Sequence, residues 1–189
     1  MRLYWHDMAP LPDRPDITVW GGITEDEAAE LRRHATGKRC LEIGSAFGFS
    51  TLTLASVAEH VWAIDPHTAT VTPGNFDLHE QADMDRLSAG TLATLTANLA
   101  ATGLTDRVTI CQERSQDYLA RESPDVEFAF IDGDHTKDGC LTDLRNCARI
   151  MESGVICVHD YACEPGVREA VDEWGGQHET VDSMAIITL

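Results

Sequence analysis

Residues 40–51 read Cys-Leu-Glu-Ile-Gly-Ser-Ala-Phe-Gly-Phe-Ser-Thr, and this stretch narrows the fold further than any other. Leu41 and Ile43 lie in a short apolar run with a helix-like segment on each side, the pattern of a central parallel strand. Gly44 and Gly48 let the backbone turn sharply and come close to a ligand. A helix beginning near Phe49 points free N–H groups back at that ligand. Strand, glycine-bearing turn and helix together form the usual entrance to a nucleotide-type pocket in an open α/β sheet.

The alternation continues along the chain. Thr24-Glu25-Asp26-Glu27 is a capping box, and Ala28, Leu31 and Ala35 follow at helical spacing until Gly37. A helix over 49–59 leads to a second strand, Val61–Ile64, which ends at Asp65-Pro66. Leu92, Leu95 and Leu99 mark the next helix, stopped at Gly103. Strands at 108–111, 126–131 and 155–158 alternate with helices around 115–121, 141–151 and 167–174. The chain closes on two short strands with a turn near Asp182-Ser183. Repeated βα units before a hairpin-like pair predict a three-layer α/β/α sandwich with a mostly parallel sheet. At 189 residues the chain fits one domain, and it has no internal repeat, linker or low-complexity tract. Residues 1–23, rich in Pro and Trp, read as irregular. A tail, a contact between copies in a homo-oligomer and an active-site cover all remain open for them. Residues 66–86 are far longer than an ordinary connection of about 2–6 residues. They leave the ligand-binding end of a strand, so they read as a lid or as a passive insertion.

Composition removes several classes of function. Lys and Arg number 14 against 32 Asp and Glu, a net charge of −18. Such a surface repels nucleic acid and anionic membranes. No apolar run reaches the ~18 residues of a membrane span. The N-terminus lacks the apolar core of a signal peptide, which places the expected location in the cytoplasm. Six cysteines without a Cys-x-x-Cys pair read as reduced, structural thiols rather than disulfides or a zinc site.

The glycines read Gly44-x-x-x-Gly48, without the third glycine of a dinucleotide loop or the Gly-Lys-Ser/Thr ending of a P-loop. Glu42 lies inside the strand, where a carboxylate needs a partner. A ligand ammonium, the loop itself or a structural Arg would serve. Leu41–Ser50 resembles the first motif of class I S-adenosylmethionine-dependent methyltransferases, above all the catechol O-methyltransferase-like and sugar or antibiotic O-methyltransferase groups. The resemblance implies a Rossmann-like sheet of seven strands with the last antiparallel, in a single methyltransferase domain over 1–189. It also implies that Glu42, Gly44, Ser45, Ala46 and Ser50 lie along the methionine part of S-adenosylmethionine. Asp65 ends the second strand, where an acid can accept both ribose hydroxyls or merely cap a turn. Ser115 and Gln116 read as a helix cap on chemistry alone. The resemblance sets them beside the adenine.

Asp132-Gly133-Asp134-His135 and His159-Asp160 end the fourth and fifth core strands. Adjacent parallel strands lie about 4.8 Å apart, so Asp132 and Asp160 can converge on one hard divalent ion or can simply cap strand ends. Metal-dependent O-methyltransferases are similar here. The resemblance implies Mg²⁺ or another divalent ion on Asp132, His159 and Asp160, with Asp132 also counted among the cofactor contacts. His159 stands where an acid usually stands. Imidazole suits borderline metals better than Mg²⁺, so either the ion differs or His159 only orients its neighbour. His135, three residues after Asp132, matches the position of the base that deprotonates a substrate hydroxyl, and Asp134 is the rival base. His67 and His79 fall in the lid segment and would line the substrate site. The expected activity is methyl transfer to a hydroxyl of a small molecule, a sugar or polyketide-like metabolite or a catechol. Metal-independent transfer, a nicotinamide oxidoreductase and a non-catalytic module of the same fold are the rival readings.

Overall fold

The computed structural model describes residues 8–11, 14–68 and 90–189. The segment read as irregular contains an antiparallel pair, β1 (Met8–Leu11) and β2 (Arg14–Trp20). Its prolines dominate the sequence pattern, yet Ile17-Thr18-Val19-Trp20 is a β-branched and aromatic run of the kind that favours strands. Pro10 is tolerated because a two-stranded ribbon consists of edges alone.

Helix α1 (Glu25–Ala35) starts at the expected capping box, with Thr24 Oγ1 accepting from the Glu27 amide at 3.1 Å and Glu27 accepting from the Thr24 amide at 2.8 Å. β3 (Arg39–Ile43) follows, then α2 (Phe49–Ala55), every residue of which is buried. The sequence predicts this helix to 59, but it stops at Ala55. There Arg107 reaches across to the freed carbonyls of Ala55 and Ala58, at 3.3 and 3.4 Å. The chain continues through β4 (His60–Ile64), α3 (Thr91–Thr102), β5 (Val108–Cys111), α4 (Ser115–Arg121), β6 (Phe128–Ile131) and α5 (Lys137–Ile150). It ends with β7 (Val155–Val158), α6 (Pro165–Trp174), β8 (His178–Val181) and β9 (Met184–Thr188). α5 starts earlier than its apolar spacing indicates because Thr136 caps it, accepting from the Gly139 amide.

The main sheet has seven strands in the order β5-β4-β3-β6-β7-β9-β8, with β9 antiparallel to both of its neighbours. Side chains alternate across it. Phe128 and Phe130 of β6 face Leu31, Leu52 and Leu95 of α1–α3. Ala129 and Ile131 face Leu119, Leu144 and Val167 of α4–α6. This alternation produces the three layers. Full burial of Phe128 and Phe130 contributes about 1.5–3 kcal/mol each. All six cysteines are free, and five of them are buried. Among the described residues, no helix is long and apolar enough to cross a membrane.

This topology positions the site. From β3 the chain runs outward to β4 and β5 in one direction, and to β6 and β7 in the other. A crevice therefore opens at the carboxyl ends of β3 and β6, the place where open α/β sheets bind ligands.

Candidate active site

Gly44 leaves β3 with φ +92° and donates its amide to Ile64 O at 2.8 Å. A Cβ there would run into the carbonyl of Asp132 at the end of β6. Only glycine lets the two strand ends meet so closely. Asp65, at the end of β4, staples the turn. Its Oδ2 accepts from the amides of Ser45 (3.0 Å) and Ala46 (2.9 Å), and its Oδ1 accepts from His67 N at 2.7 Å. A carboxylate offers about four acceptor positions, so Oδ1 keeps a lone pair for a further donor.

Glu42 is fully buried beneath this turn. Its Oε2 accepts from Thr51 Oγ1 at 2.5 Å. Its Oε1 has no hydrogen-bond partner, and neither has the buried hydroxyl of Ser45. Burial pushes the Glu42 carboxyl up to about 8, against the opposing effect of the Ser50 and Thr51 hydroxyls. Buried polar atoms normally find partners, so orphaned ones beside a glycine turn point to a ligand.

Across the crevice the strand-end acids meet the two histidines. Asp132 Oδ1 lies 3.2 Å from His159 Nδ1 and 3.4 Å from His135 Nε2. Asp160 adds Oδ1 at 3.5 Å from His159 Nδ1 and Oδ2 at 3.7 Å from His135 Nε2. Its backbone is left-handed, with φ +59°. Burial alone would lower the His159 pKa, but the carboxylates of Asp132, Asp160 and Glu27 outweigh it and hold the imidazole well above its ordinary value. His135 is raised by its hydrogen bond to Asp132, with burial opposing. Asp132, His159 and Asp160 offer one ligand atom each within 4.8 Å of one another. Two carboxylate oxygens and an imidazole nitrogen form a donor set that fits a divalent ion.

Two cavities flank the Gly44–Ala46 turn. The larger, about 370 Å³, is lined by Ala46, Asp65, Ser115, Gln116, Asp132 and Asp143, among others. The smaller, about 200 Å³, is lined by Trp20, Phe47, Ser50, His135, His159 and Asp160, among others. The sequence-derived residues thus gather around one crevice, with Glu42 buried beneath it and lining neither cavity. Asp134 lines the larger cavity but is tied to the start of α5: its Oδ1 accepts from the Thr136 amide at 2.9 Å, and its carboxylate lies over Gly139. His67 turns to Thr91 of α3, with Nδ1 2.9 Å from its hydroxyl, and lines neither cavity. His79 and residues 69–86 of the expected lid lie outside the described residues.

Sequence reasoning missed four contributors. In the sequence Glu27 reads only as the second half of a capping box, yet it is fully buried and lies 3.4 Å from His159 Nε2. Ser183, in the β8–β9 turn, lies 3.3 Å from the same nitrogen. Asp143 of α5 is buried and accepts from Ser115 Oγ at 2.5 Å, and burial pushes it up to about 6. Trp20 packs on Phe47 with ring centroids 5.2 Å apart. For Glu27 and Asp143 a signal exists in the chain, since each is a charged residue at helical spacing from buried apolar ones. Ser183 and Trp20 carry none.

A family model described as a methyltransferase domain matches residues 41–161, from β3 through Tyr161 beyond the His159-Asp160 pair. No curated protein matches the sequence significantly. Among solved structures, the fold is similar to cofactor-bound Rv0187 from MTB, at TM-score 0.65 and 19% identity over 87% of this chain and 80% of that one. It is also similar to precorrin 8w decarboxylase from Methanobacterium thermoautotrophicum, at TM-score 0.59 and 19% identity over 90% of this chain and 88% of that one. An O-methyltransferase from Bacillus cereus in complex with SAH gives TM-score 0.59 and 17% identity over 87% and 82%. With the family match spanning the strand-end motifs and the fold similar to these structures, the chain belongs to the methyltransferase-domain family and has the Rossmann-like fold of class I methyltransferases.

Proposed function

We infer that the protein is an S-adenosylmethionine-dependent methyltransferase acting on a hydroxyl of a small molecule with help from a divalent ion. One observation carries the reading: orphaned Glu42 Oε1 and Ser45 Oγ lie under a glycine turn that Asp65 staples, on the same sheet edge as the Asp132–His159–Asp160 cluster. The cofactor-bound and SAH-bound proteins of similar fold support it. In this reading Glu42 and Ser45 meet the methionine end, and Asp65 Oδ1 takes a ribose hydroxyl. Ser115 and Gln116 border the adenine in the larger cavity, and Asp132, His159 and Asp160 hold the ion.

Bound there, S-adenosylmethionine brings a sulfonium-activated methyl group and the ion brings positive charge for the acceptor oxygen. The chain's own residues supply alignment and proton transfer. The smaller cavity seats the acceptor beside His135, whose imidazole is the base for the hydroxyl proton. Trp20 and Phe47 wall it with apolar surface that keeps water out. Holding two reactants in line contributes up to about 7–11 kcal/mol in well-oriented systems, which makes positioning the main task. Asp134, committed to the start of α5, is the weaker base candidate.

Calorimetry tests the donor site: wild type binds S-adenosylmethionine, and Asp65→Ala abolishes binding because the turn loses its staple and the ribose its acceptor. Labelled cofactor with a panel of hydroxylated metabolites, catechols and sugars included, tests the acceptor. Chelation tests the ion. Full turnover after chelation would favour a metal-independent methyltransferase, in which the charged imidazole of His159 serves as the fixed cation among the acids.

A further inference from the structure

Resting on the functional reading above, we propose that Glu27 and Ser183 fix His159 with Nδ1 turned to Asp132 and Asp160, so that these three residues take a nitrogen-preferring divalent ion of the Co²⁺ or Zn²⁺ type rather than Mg²⁺. Glu27 is then a positioning residue contributed by α1, far outside the strand-end motifs.

A capping box needs only one carboxylate oxygen and normally sits at the surface. Glu27 departs from that on both counts. It is fully buried, and both oxygens are engaged: Oε2 by the Thr24 amide at 2.8 Å, and Oε1 by the Ser183 amide at 2.9 Å and hydroxyl at 2.7 Å. Two elements therefore immobilise it, the start of α1 and the β8–β9 turn. Against this fixed group lies His159 Nε2, 3.4 Å from Glu27 Oε2 and 3.3 Å from Ser183 Oγ. The His159 backbone is tied in turn, its amide donating to Ile131 O at 3.0 Å.

One ring nitrogen is thus turned inward to the protein, and the other is left for the crevice. Nδ1 lies 3.2 Å from Asp132 Oδ1 and 3.5 Å from Asp160 Oδ1. A single N–H cannot point at both carboxylates. Ligand atoms each about 2.1 Å from a shared ion lie roughly 3.0–3.4 Å apart, close to the two distances from Nδ1, and all three ligand atoms lie within 4.8 Å of one another. A histidine whose inward nitrogen donates to a buried carboxylate while the other faces a cation site has its tautomer and orientation preset for ligation. Mg²⁺ favours oxygen-only sets, and exchanging one oxygen for imidazole moves the preference toward Co²⁺, Ni²⁺ or Zn²⁺.

Raw affinity does not decide this, because almost any site binds Co²⁺ more tightly than Mg²⁺. The ratio across variants does. Metal-free full-length protein is titrated with Co²⁺ and with Mg²⁺ by calorimetry, and the Co²⁺ complex is followed by its visible absorption. His159→Asp, which restores an all-oxygen set, is expected to lower the Co²⁺/Mg²⁺ affinity ratio at least tenfold and to change the Co²⁺ spectrum. Glu27→Gln is expected to weaken Co²⁺ binding about 10–100-fold, the usual effect of removing such an outer partner. Ser183→Ala should act in the same direction more mildly, and it decides the matter with His159→Asp should Glu27→Gln fail to fold. An unchanged ratio in His159→Asp, or wild-type Co²⁺ affinity in Ser183→Ala and folded Glu27→Gln, overturns the proposal. If wild type binds neither ion but still binds S-adenosylmethionine, the proposal falls and the methyl-donor reading stands. If the ratios move as expected but S-adenosylmethionine does not bind, the reverse holds.

Discussion

Glu42→Gln separates the cost of the site from its use. Burial raises the Glu42 carboxyl from 4.5 to about 8 in the folded protein. A folded-state pKa above the unfolded one means that the native state holds its proton longer. Below pH 4.5 both states are protonated and the group costs nothing. Between 4.5 and 8 the unfolded state releases its proton while the native state keeps it, so stability falls by about 1.4 kcal/mol per pH unit. By pH 7 the accumulated loss is about 3 kcal/mol, and it levels off above 8. Glutamine keeps an acceptor for Thr51 but leaves a buried N–H₂ unpartnered, a pH-independent cost of about 1–3 kcal/mol. The diagnostic is therefore the change with pH. Urea unfolding of both proteins should show the variant gaining about 3 kcal/mol on wild type between pH 4.5 and pH 7. In parallel, loss of the carboxyl that meets the methionine ammonium should weaken S-adenosylmethionine binding about 10–100-fold by calorimetry. A stability gap that does not move with pH would refute the buried-carboxyl argument. Unaltered affinity would refute the contact.

Three further outcomes are expected. Gly44→Ala forces a side chain into left-handed backbone and against the Asp132 carbonyl; a loss of at least about 2 kcal/mol in thermal unfolding, together with loss of S-adenosylmethionine binding, should follow. His135→Ala should lower methyl transfer by about 10²–10⁴-fold with cofactor affinity unchanged, and equal turnover in labelled-methyl assays would remove it as the base. Asp143, pushed up to about 6 by burial from an ordinary 3.8, should make Asp143→Asn gain about 3 kcal/mol on wild type between pH 4 and pH 7. A flat difference in urea unfolding would count against this.

The core of the fold was readable because its elements announce themselves locally. Leu41 and Ile43 between helical segments mark β3, and Leu92, Leu95 and Leu99 mark α3 by spacing alone. The antiparallel pair of 8–11 and 14–20 was hidden because Pro10, Pro12 and Pro15 mask its β-branched residues in any local window. The end of α2 is not legible locally, because the carbonyls left there are met by Arg107, which lies 52 residues from Ala55 in the chain. At the site, Glu42, Asp65, Asp132, His135 and Asp160 stand at strand ends, where chemistry can be inferred from position. Glu27 cannot be found that way, since its capping role already accounts for it.

By itself the sequence determined the alternation of strands and helices, the glycine turn, and the acids and histidines at strand ends. Each of these depends on spacing within a few residues. The tertiary structure alone decided which of those residues face one another. Sheet order sets β3 beside β6 and brings the Asp132 carbonyl against Gly44. The antiparallel β9 returns the chain so that Ser183 donates to Glu27 across 156 residues. The environment of His159 is therefore assembled from the start of α1, the ends of β6 and β7 and the final turn, and only packing of the whole sheet can bring those pieces within hydrogen-bonding distance.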